Sequence, residues 1–394
     1  HGLHVFLFSN NVPVEQERRL KALAASKGLL LMGPDCGTAI INGVGLGFSN
    51  VAPRGSIGIV GASGTGMQQL ICLLAAAGLG ISQAIGTGGR DLSEAIGGIM
   101  MRRGLELLTH DPQTEVIALV SKLPSKRVAQ ELLAAAAQSA KPVVATFLGM
   151  TPEEFGTVSG DVKLARTHTE GAKLAVSLVG GDSKRVPGES TLLPLQSRLA
   201  GERAGLASTQ RYIRALYSGG TLCYEAMLLL SERVGAVASN IPLRQEWALT
   251  AKETYRGHTA LDLGADEYTR GKPHPMIDPT MRLHYLARAA EDTETAVILL
   301  DIVLGFCSHP NPAAVYAPVI TRLRNEAVAA GRSLPVIISL CGTEGDPQHL
   351  SSQRLVLEAA GAFVFESNEV AVLAAASLVS DRGSSSQRKD QAYD

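Results

Sequence analysis

The chain has 394 residues, of which 45% are hydrophobic and only 4% aromatic, with 41 glycines and a formal charge of −1 at pH 7. That is enough for two or three domains with their own cores, and the near-zero charge gives no electrostatic case for nucleic acid or an anionic membrane surface. The five cysteines (Cys36, Cys72, Cys223, Cys307, Cys341) are odd in number, widely spaced and lack a Cys-x-x-Cys pair, so neither a disulfide framework nor a zinc site is signalled. No apolar run approaches the ~20 residues that span a bilayer, and the expected setting is the cytosol.

The chain opens at His1 and enters an apolar stretch at once, Leu3-His4-Val5-Phe6-Leu7-Phe8. Ser9-Asn10-Asn11 ends that strand, residues 15–26 have the spacing of an amphipathic helix, and Leu29 to Met32 form a strand entering Gly33-Pro34-Asp35-Cys36-Gly37. Residues 1–50 therefore read as the closing β-α-β remnant of a Rossmann-type domain, whose Gly-x-Gly-x-x-Gly turn would lie upstream. Over 51–182 the pattern gives strand 57–60, helix 66–78, strand 82–86, the turn Gly88-Gly89-Arg90-Asp91 and helix 93–109. Strand 115–121, helix 125–139, strand 142–148 and helix 169–179 follow. This alternation predicts an α/β fold with a doubly wound parallel sheet.

Residues 183–208 lack sustained apolar periodicity and read as a linker. A second α/β unit follows over 209–382. It runs strand 212–217, helix 221–235, an irregular stretch 236–281, helix 282–290, strand 295–301, helix 312–330, strand 334–340, helix 349–360, strand 362–366 and helix 368–380. Residues 383–394, rich in Ser, Gln and charge, read as a disordered tail.

Two turns carry chemistry. In Gly61-Ala62-Ser63-Gly64-Thr65-Gly66 a β-branched strand breaks into glycines just before a helix, where unpaired N–H groups and the helix dipole favour an anion. Tyr217-Ser218-Gly219-Gly220-Thr221 repeats the arrangement. Ser63, Gly64, Thr65, Gly66 and Ser218, Gly219, Gly220, Thr221 are thus candidate phosphate ligands, the alternative being plain helix capping. Neither serine has the flanking glycines of a nucleophile elbow, and no Gly-Lys-Ser/Thr ending marks a P-loop. Asp278 and Asp301 lack clustered ligand spacing, so no metal is expected.

These residues resemble the succinyl-CoA synthetase superfamily, and within it the FdrA branch. The resemblance rests on Gly33-Pro34-Asp35-Cys36-Gly37-Thr38, the turn from Gly61 to Gly66, Gly88-Gly89-Arg90-Asp91-Leu92-Ser93, residues 271–279 (Gly271-Lys272-Pro273-His274-Pro275-Met276-Ile277-Asp278-Pro279) and residues 342–347 (Gly342-Thr343-Glu344-Gly345-Asp346-Pro347). It implies two flavodoxin-like CoA-ligase domains fused behind the CoA-binding remnant, with the helices after Ser63 and Ser218 facing one shared anion. It also makes Gly88 and Gly89 anion-binding, and places Asn10, Cys36 and Cys307 near CoA or substrate. For Cys36 the alternative is packing in a tight turn, and core packing is the alternative for Cys307 and Cys341.

The departures from the synthetases are as informative. After Pro142-Val143-Val144-Ala145-Thr146-Phe147 the chain lacks the phosphohistidine loop; His168 falls near its place but reads as a capping or surface residue. Lys122 replaces the carboxylate that holds the phosphohistidine, and the chain carries no ATP-grasp domain. The resemblance therefore implies a component of an oxamate carbamoyltransferase of allantoin breakdown. Its small anionic substrates would be phosphate, carbamoyl phosphate and oxamate, with Lys122 in a catalytic role, partner subunits and an oligomeric assembly; His274, aimed by the prolines on either side, is the other catalytic candidate, the alternative being a loop histidine hydrogen-bonded to backbone. No cofactor is required by the sequence; CoA binding by residues 1–394 is expected to be weak or absent, while CoA is possible in a full-length protein that carries the upstream turn. An acyl-CoA ligase subunit and a non-catalytic scaffold are the alternatives.

Overall fold

A computed structural model describes residues 1–155, 158, 160–250 and 255–380; the expected tail from 383 lies outside the described residues. The chain divides into two units, one of residues 1–187 with 305–307 and 342–347, the other of residues 188–304 with 308–341 and 348 onward.

In the first unit β1 (Val5–Phe6) and β2 (Leu31–Met32) pair in parallel on either side, in sequence, of α1 (Val14–Ser26). A hairpin follows, β3 (Thr38–Ile41) and β4 (Val44–Gly47), turned by Asn42-Gly43, both with positive φ. The sequence reading missed it, although Asn-Gly between two short runs is the usual signal of such a turn. Then come β5 (Arg54–Gly61), α2 (Gly64–Ala76), β6 (Ile81–Gly86), α3 (Ile99–His110) and β7 (Val116–Ser121). The unit continues with α4 (Lys126–Ala136), β8 (Val143–Phe147), α5 (Pro152–Phe155), β9 (Val162–Ala165) and α6 (His168–Leu178).

The sheet order is β4-β3-β6-β5-β7-β8-β9, with β3 antiparallel to both neighbours and the rest parallel. The hairpin of residues 38–47 is thus hydrogen-bonded into this sheet. Its five parallel strands stand in the order second, first, third, fourth, fifth, which is the flavodoxin-like winding. Alternate residues bury on opposite faces: Ile59, Ala118 and Val120 join one apolar cluster, Val60, Ile117 and Leu119 the other. A sheet covered on both faces explains why these strands read as continuous apolar runs. Helix α3 starts at Ile99, six residues later than expected, because Gly97 and Gly98 take positive φ and the buried Asp91 carboxylate accepts the amides of Met100 and Met101 (3.4 and 2.8 Å).

In the second unit α7 (Gln196–Ala204), with Leu199 buried, lies in the stretch expected to be a linker. The rest runs β10 (Tyr212–Tyr217), α8 (Gly220–Val234), β11 (Val237–Ser239), β12 (His258–Asp262), α9 (Asp266–Thr269), α10 (Thr280–Glu291) and β13 (Thr295–Val303). It ends with α11 (Pro312–Ala329), β14 (Val336–Cys341), α12 (Leu350–Ala359), β15 (Phe363–Phe365) and α13 (Asn368–Ser377). All six strands are parallel, in the order β11-β12-β10-β13-β14-β15. Without the edge strand this is the flavodoxin-like winding again. The stretch read as irregular, 236–281, contains β11, β12 and α9; β12 is short and bounded by His258 and Asp262, which hid it. Among the described residues no helix is long and apolar enough to cross a membrane.

Candidate functional site

In an open parallel sheet the crevice for ligands opens at the carboxyl ends of the strands, where the winding reverses. In the first unit that point lies between β5 and β7, which pair directly, Gly61 opposite Val120. Beyond β5, the Ala62 amide donates to the Val120 carbonyl (3.0 Å), and Ser63 takes an extended conformation as the N-cap of α2. Its hydroxyl accepts the Gly66 amide (3.1 Å), satisfying one of the donors that a helix start leaves unpaired. No acidic residue lies in the first turn of α2, so no side chain there offsets the positive end of the dipole. Gly64 and Thr65 are partly exposed. A Cβ on Gly64 would sit 3.2 Å from the Thr38 hydroxyl, so the backbone here is closely approached.

Lys122 follows β7 immediately, on the other side of the same reversal, and is half-buried. Among the described residues no hydrogen bond or ion pair holds its ammonium. The first sheet thus has a helix start after β5 and, after β7, a cation with no partner among the described residues.

Gly88 and Gly89 have a different setting. Gly88 has φ +87° and a Cβ there would lie 2.1 Å from the Pro34 carbonyl, while one on Gly89 would lie 2.8 Å from an Asp35 carboxylate oxygen. These glycines let the loop pack on the Gly33-Pro34-Asp35 turn. The loop is then pinned by a buried ionic group that sequence reasoning missed. Lys21, fully buried on α1, donates to the Thr87 carbonyl and pairs with Asp91 and Glu17, each at 2.8 Å, and Arg90 pairs with the other Glu17 oxygen at 2.8 Å. Glu17 and Lys21 are four apart on a helix, a spacing that usually marks a solvated pair; nothing local distinguishes this one.

Cys36 is 2% exposed, its thiol 3.5 Å from the Thr38 carbonyl, and burial pushes that thiol up to about 12. Among the residues that would meet CoA, it is therefore enclosed rather than presented to a ligand. Asn10 is partly exposed beyond β1, and its carbonyl accepts the Val12 amide. Cys307 is exposed with φ +62°, next to Phe306, whose amide donates to the Ser49 carbonyl. His168 is 1% exposed in the first turn of α6, while Thr167 supplies the cap. It is neither the cap nor a surface residue, because the α6 face that carries it turns inward.

In the second unit the winding reverses between β10 and β13. The turn after β10 carries the second candidate site, and its donors are engaged from within. The amides of Ser218 and Gly219 and the Ser218 hydroxyl donate to the Asp301 carboxylate of β13 at 2.8, 2.7 and 3.0 Å. Arg282 of α10 pairs with the same carboxylate at 3.0 Å, and both side chains are buried. A Cβ on Gly220 would lie 2.6 Å from an Asp262 carboxylate oxygen. Thr221 is buried in the first turn of α8.

His274 belongs to the same neighbourhood: a Cβ on Gly264 would meet the Ser218 carbonyl at 2.4 Å and the His274 Nε2 at 2.7 Å. Its Nδ1 accepts the Met276 amide (3.2 Å). Burial, with the Asp301 carboxylate opposing it and the Arg282 guanidinium adding to it, pulls His274 down to about 4. The ring is thus neutral near pH 7 and suited to hydrogen bonding rather than to charge pairing. Among the described residues no group of three or more His, Cys, Asp or Glu could hold a metal ion.

The sequence model described as CoA-ligase matches residues 216–378, and the one described as CoA binding domain matches residues 53–149, within the sheet that holds Ser63 and Lys122. "Uncharacterized protein YahF" of Escherichia coli (strain K12) is 47% identical over 371 residues, covering 93% of this chain and 70% of that protein. The chain belongs to the succinyl-CoA synthetase-like superfamily. Within that superfamily, the alpha subunit of succinate–CoA ligase [ADP-forming] from Aquifex aeolicus (strain VF5) is 30% identical over 152 residues, 37% of this chain and 48% of the subunit, so the chain spans about half the length of that relative. Among solved structures, acetyl-coenzyme A synthetase 1 of Ca. Korarchaeum cryptofilum, in complex with phosphate and ADP, covers all of this chain and is itself covered over 81%, at 15% identity and a TM-score of 0.32.

Proposed function

We propose that the chain is a phosphate-handling subunit of an FdrA-type oxamate carbamoyltransferase, interconverting carbamoyl phosphate and oxamate with oxalurate and phosphate in allantoin breakdown. The observation that carries this reading is the winding reversal of the first sheet, where the start of α2 follows β5 and Lys122, which has no partner among the described residues, follows the directly paired β7. A phosphoryl group seated there would meet the dipole of the α2 start, and Lys122 would supply an ammonium to it. In the forward direction the oxamate amide nitrogen attacks the carbamoyl carbon, the carbon–oxygen bond to phosphate breaks, and phosphate leaves with the bonding electron pair. The nitrogen gives up its proton to solvent. Charge builds on the departing phosphate, and that is the charge the helix start and Lys122 stabilise. A lysine suits a free phosphate dianion better than a phosphohistidine relay, in keeping with the missing histidine loop.

Phosphorolysis of oxalurate by the chain with its partner proteins is the test, run beside a Lys122→Ala protein that still assembles. Loss of turnover on that substitution supports catalysis at this crevice, whereas unchanged turnover favours a scaffold. Acyl-CoA ligation is the second reading, favoured by the CoA-ligase match over residues 216–378. CoA-dependent consumption of a nucleotide triphosphate by the same mixture would replace the first reading with the second.

A further inference from the structure

Each of the two large sheets has a helix start at its winding reversal, and the two starts are furnished with opposite charge. After the third strand of the first sheet stands Lys122; within the third strand of the second sheet's winding stands Asp301. We infer that Asp301 is a built-in anion, filling from within the place at the start of α8 that a small oxyanion would take, so that this crevice binds phosphate-class anions only once that carboxylate is removed. The inference rests on the reading that such helix starts are phosphate seats.

Three observations carry it. The Asp301 carboxylate accepts two successive backbone amides and a hydroxyl, those of Ser218 and Gly219 at 2.7 to 3.0 Å, the set of contacts by which helix-start turns hold anions. Its charge is matched by one arginine. Arg282 is fixed in place by donating also to the carbonyls of Leu216 (2.9 Å) and Asp301 (2.6 Å). A second carboxylate, Asp262, crowds the glycine that opens α8 and accepts the Gly264 amide at 3.0 Å. A phosphate dianion arriving here would find its donors taken and two carboxylates against one guanidinium, an arrangement that repels it at any effective dielectric.

Removing Asp301 reverses the balance. Asp301→Ala would leave a buried guanidinium, two amides and a hydroxyl around a vacated carboxylate volume, a seat for an external anion. The test is thermal unfolding of the full chain in inorganic phosphate, in formate and in sodium chloride of equal ionic strength. Asp301→Ala should melt below the wild type, and phosphate or formate should raise its midpoint by at least about 3 °C more than the wild type's. The extra shift should persist when Gly64→Asp is added to silence the first helix start.

Equal shifts in wild type and Asp301→Ala overturn the inference. If Asp301→Ala folds only in phosphate or formate, that rescue is itself the expected result; if it folds in neither, Asp301→Ser decides on the same comparison. A wild type whose midpoint ignores phosphate would instead count against the first helix start, and would leave the comparison between wild type and variant intact.

Discussion

At Ser63 one hydroxyl both ends a strand and starts a helix. Ser63→Ala leaves the Gly66 amide without its acceptor, and should cost about 1 kcal/mol, read as a fall of about 3 °C in the melting midpoint of a unit this size. Two histidines make a second claim at this scale. His258 and His274 are each held near 4, chiefly by burial, and each accepts a backbone amide on Nδ1, from Ile213 and Met276. Protonation would break those bonds. Because the unfolded chain protonates these rings below about 6.5 and the folded chain only near 4, their contribution is full above 6.5 and is lost as pH falls toward 4. Unfolding free energies from denaturant titrations between pH 7 and 4 should fall through that window by up to about 3 kcal/mol per ring, and His258→Asn should flatten the curve. A curve that is flat for the wild type contradicts the burial argument.

Among the elements, α1 shows how much a buried ionic group decides. Lys21 stands between Glu17 and Asp91 and touches the Thr87 carbonyl, so the helix is fastened to the loop that opens α3. Lys21→Met would leave the buried Asp91 carboxylate without its cation and Glu17 with Arg90 alone, and should destabilise the protein by about 3 kcal/mol, with faster amide exchange in α1 and in residues 87–101. Unchanged exchange there would show that apolar packing alone holds the helix. This network also marks where sequence ceased to be informative. Strands β5, β7, β10 and β13 were legible because sheets buried on both faces need apolar runs, and α8 and α11 because their lengths and caps are conventional. The short β12 and the helix α7 were missed because their residues are held by partners distant in sequence, as Glu202 is by Arg324; the hairpin β3–β4 was missed although its Asn42-Gly43 turn is local. The late start of α3 follows from one carboxylate, Asp91, which no local pattern singles out.

For the whole molecule, two sheets of one winding were expected from the repeated strand–glycine–helix pattern, and two flavodoxin-like orders are what the chain forms. The two helix starts were legible as residues; their different furnishing was not, since the partnership of Asp301 with Ser218 joins positions 83 residues apart. With Cys36 enclosed and the Gly88 turn filled by the Pro34 carbonyl, we expect CoA titrated into the chain to bind weakly or not at all, and a sub-micromolar dissociation constant would contradict that. The central claim is that phosphate is held at the reversal of the first sheet by the start of α2 and Lys122. Calorimetric titration of inorganic phosphate into the wild-type protein, Lys122→Ala and Gly64→Asp tests it most directly. The account predicts saturable binding to the wild type, weakened about tenfold or more in Lys122→Ala as a lost charge-assisted contact requires, and none at that site in Gly64→Asp; the same dissociation constant in all three proteins would contradict it.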